Sequence, residues 1–320
     1  MQHFADRVLA AIRHKKTPAV VGLDPRPEWL PRPLWQRHGL GPAAAQRIWA
    51  TAVEEFCSRV LDVVAPLVPA VKVQSAFFEL LGAPGIQTLA LVLRKARHLG
   101  LVTILDAKRA DIGSTSEAYA QAAFGNPSAT TGGMAGGNPL ADALTVNPYL
   151  GRDSLGPFLK YAQDGTHGLF VLVRTSNPGS ADVQQLTCAQ GARPIYAEVA
   201  DWVREWSEAS LGPCGYGSVG AVVGATAGEQ LAELRRAMPR TLLLVPGYGA
   251  QGATAADVAP AFDPQGLGVL VNSSRAVLFP EAATSDAAGP SADAWEDAID
   301  RALRRMIADL AEHTPAGKLV

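Results

Sequence analysis

Short apolar runs rich in valine, isoleucine and leucine recur along the chain at 18–24, 70–74, 101–108, 142–148, 168–174, 218–226, 241–247 and 267–274. Between them lie stretches in which apolar residues return with helical period, among them 43–64, 85–98, 194–210 and 226–238. Strands that are apolar almost throughout are covered on both faces, and steady alternation with helices is the mark of a parallel sheet. The eight units predict a (β/α)8 TIM barrel made by a single domain, 1–320.

Several boundaries are marked. Thr226 followed by Glu229 is a capping-box pattern at a helix start. A last helix over 291–313 sets Trp295, Ile299, Leu303, Met306 and Leu310 on one face. At the other end, Phe4, Val8, Leu9 and Ile12 share a helical face, with Arg7, Arg13, Lys15 and Lys16 elsewhere. That pattern superficially resembles an organelle presequence, but Asp6 and the lack of serine favour an extra helix packed on the outside of the barrel. Two segments rich in Gly, Ala, Ser, Thr and Pro, 125–139 and 280–290, read as flexible insertions. The first follows a helix and precedes a strand, which in a barrel is the end opposite the catalytic face, and is expected to be dispensable.

With 320 residues and 48% hydrophobic content, the chain can bury the core of one large α/β domain. A net charge of −2 leaves no basic stripe for a phosphate backbone, so no nucleic acid partner is expected. Cys57, Cys188 and Cys214 fit neither a disulfide framework nor a zinc pattern, and are read as reduced thiols of a cytoplasmic protein. No apolar run is long enough for a membrane span, and the N-terminus lacks the apolar centre of a signal peptide.

Barrel enzymes place their chemistry at the C-terminal ends of the strands. The third strand ends Leu105-Asp106-Ala107-Lys108, and strand alternation points Asp106 and Lys108 to one side with Ala107 turned away. In the second strand Lys72 lies between Val71 and Val73, on the face of Gln74, where an ammonium must be paired or suffer desolvation. Asp24 closes the first strand before Pro25. Any one of these residues could belong to an ion-pair network that only holds strands in register. Four together at the functional end favour a site.

The loop Pro246-Gly247-Tyr248-Gly249-Ala250-Gln251-Gly252 follows strand seven, and Asn272-Ser273-Ser274-Arg275 follows strand eight. Loops at these two places habitually bind phosphate, because glycines let backbone N–H groups approach the anion and a guanidinium grips its oxygens. After strand five, Thr175-Ser176-Asn177-Pro178-Gly179 is either an ordinary turn or a polar edge for a flat heterocycle.

The run Asp106-Ala107-Lys108-Arg109-Ala110-Asp111-Ile112, with Thr115 shortly after, resembles the Asp-x-Lys-x-x-Asp-Ile signature of the orotidine 5′-phosphate decarboxylase family. Gly22-Leu23-Asp24, Val71-Lys72, Asn147-Pro148-Tyr149, Ser176-Asn177-Pro178-Gly179, Gln251-Gly252 and Arg275 extend the resemblance over nearly the whole chain. It implies a network of Lys72, Asp106, Lys108 and Asp111, with Asp111 reaching the site of the partner in a homodimer. It further implies Asp24 on the ribose, Ser176 near the pyrimidine, Thr115 near ribose or base across the dimer, and Gln251 with Arg275 on the phosphate. Gly113-Ser114 stands where Pro-Asn is usual and Asn177 where His is usual, features of the longer bacterial branch.

The implied reaction converts orotidine monophosphate to uridine monophosphate through a vinyl carbanion, in pyrimidine biosynthesis, with no metal or organic cofactor. Asp106 would press on the substrate carboxylate and Lys108 would stabilise and protonate the ring carbon. Magnesium-dependent sugar-phosphate barrels share Asp-x-Lys-x-x-Asp, but the second lysine, Lys72, suits a metal-free site better. A silent nucleotide-binding barrel is a further alternative, against which stand the four charged positions.

Overall fold

A computed structural model describes residues 2–125, 139–188, 191–249, 252–280 and 294–319. Eight parallel strands pair in sequence order and close on themselves: β1 (Ala19–Leu23), β2 (Ala70–Gln74), β3 (Val102–Arg109), β4 (Ala143–Val146), β5 (Gly168–Arg174), β6 (Val219–Val223), β7 (Leu243–Pro246) and β8 (Val269–Ser273). Seven of the eight lie within the apolar run that predicts them, and β3 runs one residue past its own, to Arg109; β1, β6 and β8 are buried at every residue.

Alternate strand residues feed two cores. Val21, Val71, Val73, Leu105, Leu144 and Val271 face outward under the helices, where the helix Ala294–His313 adds Trp295, Ile299, Leu303, Met306 and Leu310. Val20, Ala70, Ile104, Ala143, Phe170, Leu244 and Leu270 face inward.

The N-terminal helix, Phe4–Lys15, does not sit on the outside of the barrel as its amphipathic pattern suggests. Phe4, Val8, Leu9 and Ile12 pack with the inward-facing set, so the helix closes the N-terminal mouth of the barrel. Phe4 meets the Phe170 ring edge-on at 6.3 Å, and a Cβ at position 168 would lie 2.2 Å from the Phe4 ring, which explains Gly168. Arg7 pairs with Asp142 at 2.7 Å, and Asp142 also accepts the Thr103 amide at 2.9 Å and hydroxyl at 2.8 Å. With this end filled, the opposite mouth is left for a ligand.

Thr226 does not cap a helix. Gly228, at φ 57°, ends a short 3-10 turn (Ala225–Ala227), and the helix begins beyond it at Glu229. The realised capping box is Thr254 with Asp257. Of the two expected insertions, Gly125 and Pro139 border the first and Pro280 begins the second; the residues between and beyond them lie outside the described residues. Among the described residues no helix is long and apolar enough to cross a membrane.

Candidate active site

The C-terminal strand ends surround a cavity of about 490 Å³. At its floor the Asp106 carboxylate, 6% exposed, accepts four hydrogen bonds. Lys72 Nζ (2.8 Å) and Gln74 Nε2 (3.0 Å) donate to Oδ2, while Lys108 Nζ (2.7 Å) and Thr145 Oγ1 (2.9 Å) donate to Oδ1. The register explains the convergence: Gln74 is beside Asp106 across β2 and β3, and Lys72, two residues earlier, shares its face.

Burial alone would raise the Asp106 carboxyl, but the Lys72 and Lys108 charges outweigh it and hold the group well below the usual carboxylate range. Burial would likewise discharge Lys72, yet Asp106 first and Asp24 second raise it above its ordinary value. A carboxylate between two ammonium groups therefore stays ionised in a nearly dry setting. Asp24 Oδ1 lies 3.8 Å from Lys72 Nζ; it and Asn272 Oδ1 are buried acceptors without a hydrogen-bond partner among the described residues.

Lys108 arrives by a less regular route than strand alternation implies. Its φ is 48°, a left-handed conformation rare for a residue with a side chain, and the β3–β4 register shifts between Leu105 and Arg109. Such strain costs on the order of 1–3 kcal/mol and collects at functional sites. Thr145 Oγ1 accepts the Lys108 amide at 2.9 Å.

The other end of the cavity is lined by Pro246, Gly247, Tyr248, Ser274 and Arg275. Gly247 (φ 107°) and Gly249 (φ 75°) give the loop a path that other residues resist, and Tyr248 anchors it through Asp309 at 2.5 Å. Gly22 lets β8 come close, since a Cβ there would lie 1.9 Å from Ser274 Oγ. The Arg275 guanidinium lies 6.0 Å from the Trp29 ring and that of Arg26 4.5 Å, so two cations flank one aromatic plate at this end. Gln251 lies outside the described residues.

Ser176 lines the cavity with Thr175 and Asn177. Gln184 braces that turn, accepting the Thr175 amide at 2.9 Å and donating to its hydroxyl at 2.8 Å. Asp111 and Thr115 do not line this cavity. Asp111 accepts the Ile112 amide at 2.8 Å, and Thr115 is exposed on the first turn of the helix Gly113–Phe124. Sequence reasoning missed Thr145, Gln184, Arg26 and Trp29. Arg26 had a signal in its place two residues after Asp24; Thr145 had none, because threonine in a strand reads as a strand former.

A closed barrel with a dry carboxylate between two lysines at the C-terminal strand ends defines an enzyme of the TIM-barrel class. The chain belongs to the orotidine 5′-phosphate decarboxylase / HUMPS family, whose sequence model matches residues 17–285. It is 46% identical to orotidine 5′-phosphate decarboxylase of Rhodopirellula baltica over 308 residues, 96% of this chain and 98% of that enzyme. It is 44% identical to the enzyme of the same name from Deinococcus radiodurans, covering 83% of this chain and 91% of that one. The solved structure of Leishmania donovani OMP decarboxylase superposes with a TM-score of 0.70 at 31% identity, over 97% of this chain and 99% of that one.

Proposed function

We propose that the chain decarboxylates orotidine 5′-monophosphate to uridine 5′-monophosphate, a step of pyrimidine biosynthesis, without metal or organic cofactor. The single observation that carries this reading is Asp106 held ionised between Lys72 and Lys108 on the cavity floor. The phosphate sits at the Gly247 and Arg275 rim with Gln251, the ribose at Asp24, the pyrimidine beside Ser176, and the carboxylate against Asp106. As the carbon–carbon bond breaks, its electron pair stays on the ring carbon and carbon dioxide leaves. Lys108 stabilises that charge and gives the carbon its proton, and solvent then reprotonates the amine. Lys72 fixes the charge and position of Asp106. Contacts at the remote phosphate are realised in the transition state, where they lower the barrier.

The active assembly is a homodimer with shared sites, in which Asp111 and Thr115 serve the partner's cavity. The support is that both lie away from their own cavity, while exposed Leu80 (66%), Ile112 (60%) and Tyr149 (77%) follow neighbouring strands β2, β3 and β4 and would be covered by a second copy. Mixing Asp111→Ala with Lys108→Ala under subunit exchange should restore up to about a quarter of wild-type activity per site, because one site of each mixed dimer is native. Exchange without recovery would remove Asp111 from the partner's site. A cytoplasmic location fits the three free thiols.

The test of the reaction is product analysis with orotidine monophosphate and with hexulose and keto-gulonate phosphates, each with magnesium or chelator. Uridine monophosphate formed equally in chelator supports the reading. Turnover of a sugar phosphate that needs magnesium overturns it.

A further inference from the structure

We propose that Thr145 is the positioning residue that sets the geometry of Asp106 and Lys108, an inference that rests on the decarboxylase reading above. Its hydroxyl on β4 is spent twice, donating to Asp106 Oδ1 at 2.9 Å and accepting the Lys108 amide at 2.9 Å. A hydroxyl has one proton and two lone pairs, so both bonds can be made at once. Thr145 is 1% exposed, so packing holds its rotamer.

The position matters because β3 is irregular here. Lys108 sits at φ 48°, and the β3–β4 pairing breaks between Leu105 and Arg109, so the ladder does not hold the Lys108 backbone. Thr145 supplies the missing cross-strand acceptor from a side chain. The same atom orients the carboxylate oxygen that Lys108 Nζ also contacts, at 2.7 Å. One hydroxyl thus ties the backbone of the proton donor to the side chain of its acidic partner. Neither Lys72 nor Gln74 can do this, since both reach Asp106 Oδ2.

Thr145→Val keeps the shape and removes the hydroxyl; Thr145→Ser keeps the hydroxyl and removes the methyl. With orotidine monophosphate, kcat of Thr145→Val should fall on the order of 10- to 100-fold, the effect of a small misplacement of reacting groups, with KM and uridine monophosphate affinity within about threefold. Thr145→Ser should recover most of the lost kcat. Thr145→Ala, also lacking the hydroxyl, should match the valine variant and replaces it if that variant does not fold. Wild-type kcat in a folded valine or alanine variant would overturn the proposal. So would a change confined to KM, or a serine variant as slow as the others. No decarboxylation by the unmutated chain would instead sink the functional reading, and this inference with it.

Discussion

Lys108 Nζ and Asp106 Oδ1 lie 2.7 Å apart, closing a loop over Ala107, whose methyl packs on the opposite side against the outer core. Asp106 is therefore an acidic hinge between two cations, with Lys72 on its other oxygen at 2.8 Å. Asp106→Ala leaves Lys72, 4% exposed, with Asp24 at 3.8 Å as its remaining acidic neighbour among the described residues. Removing one member of a buried pair costs about 3–5 kcal/mol, so the urea midpoint should drop along with activity. An unchanged midpoint would show that the two charges do not compensate each other.

Arg275 should act on binding rather than on chemistry. In the proposed phosphate role, Arg275→Ala would remove charge-assisted bonds worth about 1.5–3 kcal/mol each and raise KM steeply. Phosphite added with a nucleoside lacking the phosphate should accelerate the wild type and do much less for the variant. Equal rescue of both would take Arg275 out of the phosphate site.

Acid stability should report on the closed end of the barrel. Burial would raise Asp142, but its bonds with Arg7 and Thr103 hold it below its ordinary value. Such a group contributes stability that is complete above the ordinary carboxylate range and is lost as pH falls through its lower folded-state value. Arg7→Ala should lower neutral-pH stability by about 1.5 kcal/mol, at the low end for a charged hydrogen bond because Arg7 is partly exposed. Its stability should also fall less on acidification than that of the wild type, by denaturant titration at several pH values. Parallel curves would separate Asp142 from the acid transition.

The strands were legible because a parallel barrel buries both faces of each, leaving unbroken apolar runs such as Val20-Val21 and Val269-Leu270-Val271. Asp106, Lys72 and Asp24 were legible as charges that packing alone does not need. Other features depend on pairings between distant segments. Strand alternation reaches the right side for Lys108 without foreseeing φ 48°, and Thr145 gains its meaning only from the register slip opposite it. The apolar stripe of the first helix was plain, but whether it covers the wall or closes the mouth depends on small residues such as Gly168 and Ala143 making room inside the barrel. Thr226 matched a capping pattern that Gly228, with its positive φ, interrupts.

In the proposed mechanism a carboxylate held between two lysines performs the decarboxylation unaided. The most direct measurement follows loss of orotate absorbance when the purified full chain meets orotidine monophosphate in chelator, beside Lys108→Ala under the same conditions. The wild type should turn over fully, with uridine monophosphate and carbon dioxide formed one for one. Lys108→Ala should show almost none while still binding uridine monophosphate. Dependence on added metal, or turnover by Lys108→Ala at the wild-type rate, would overturn that mechanism.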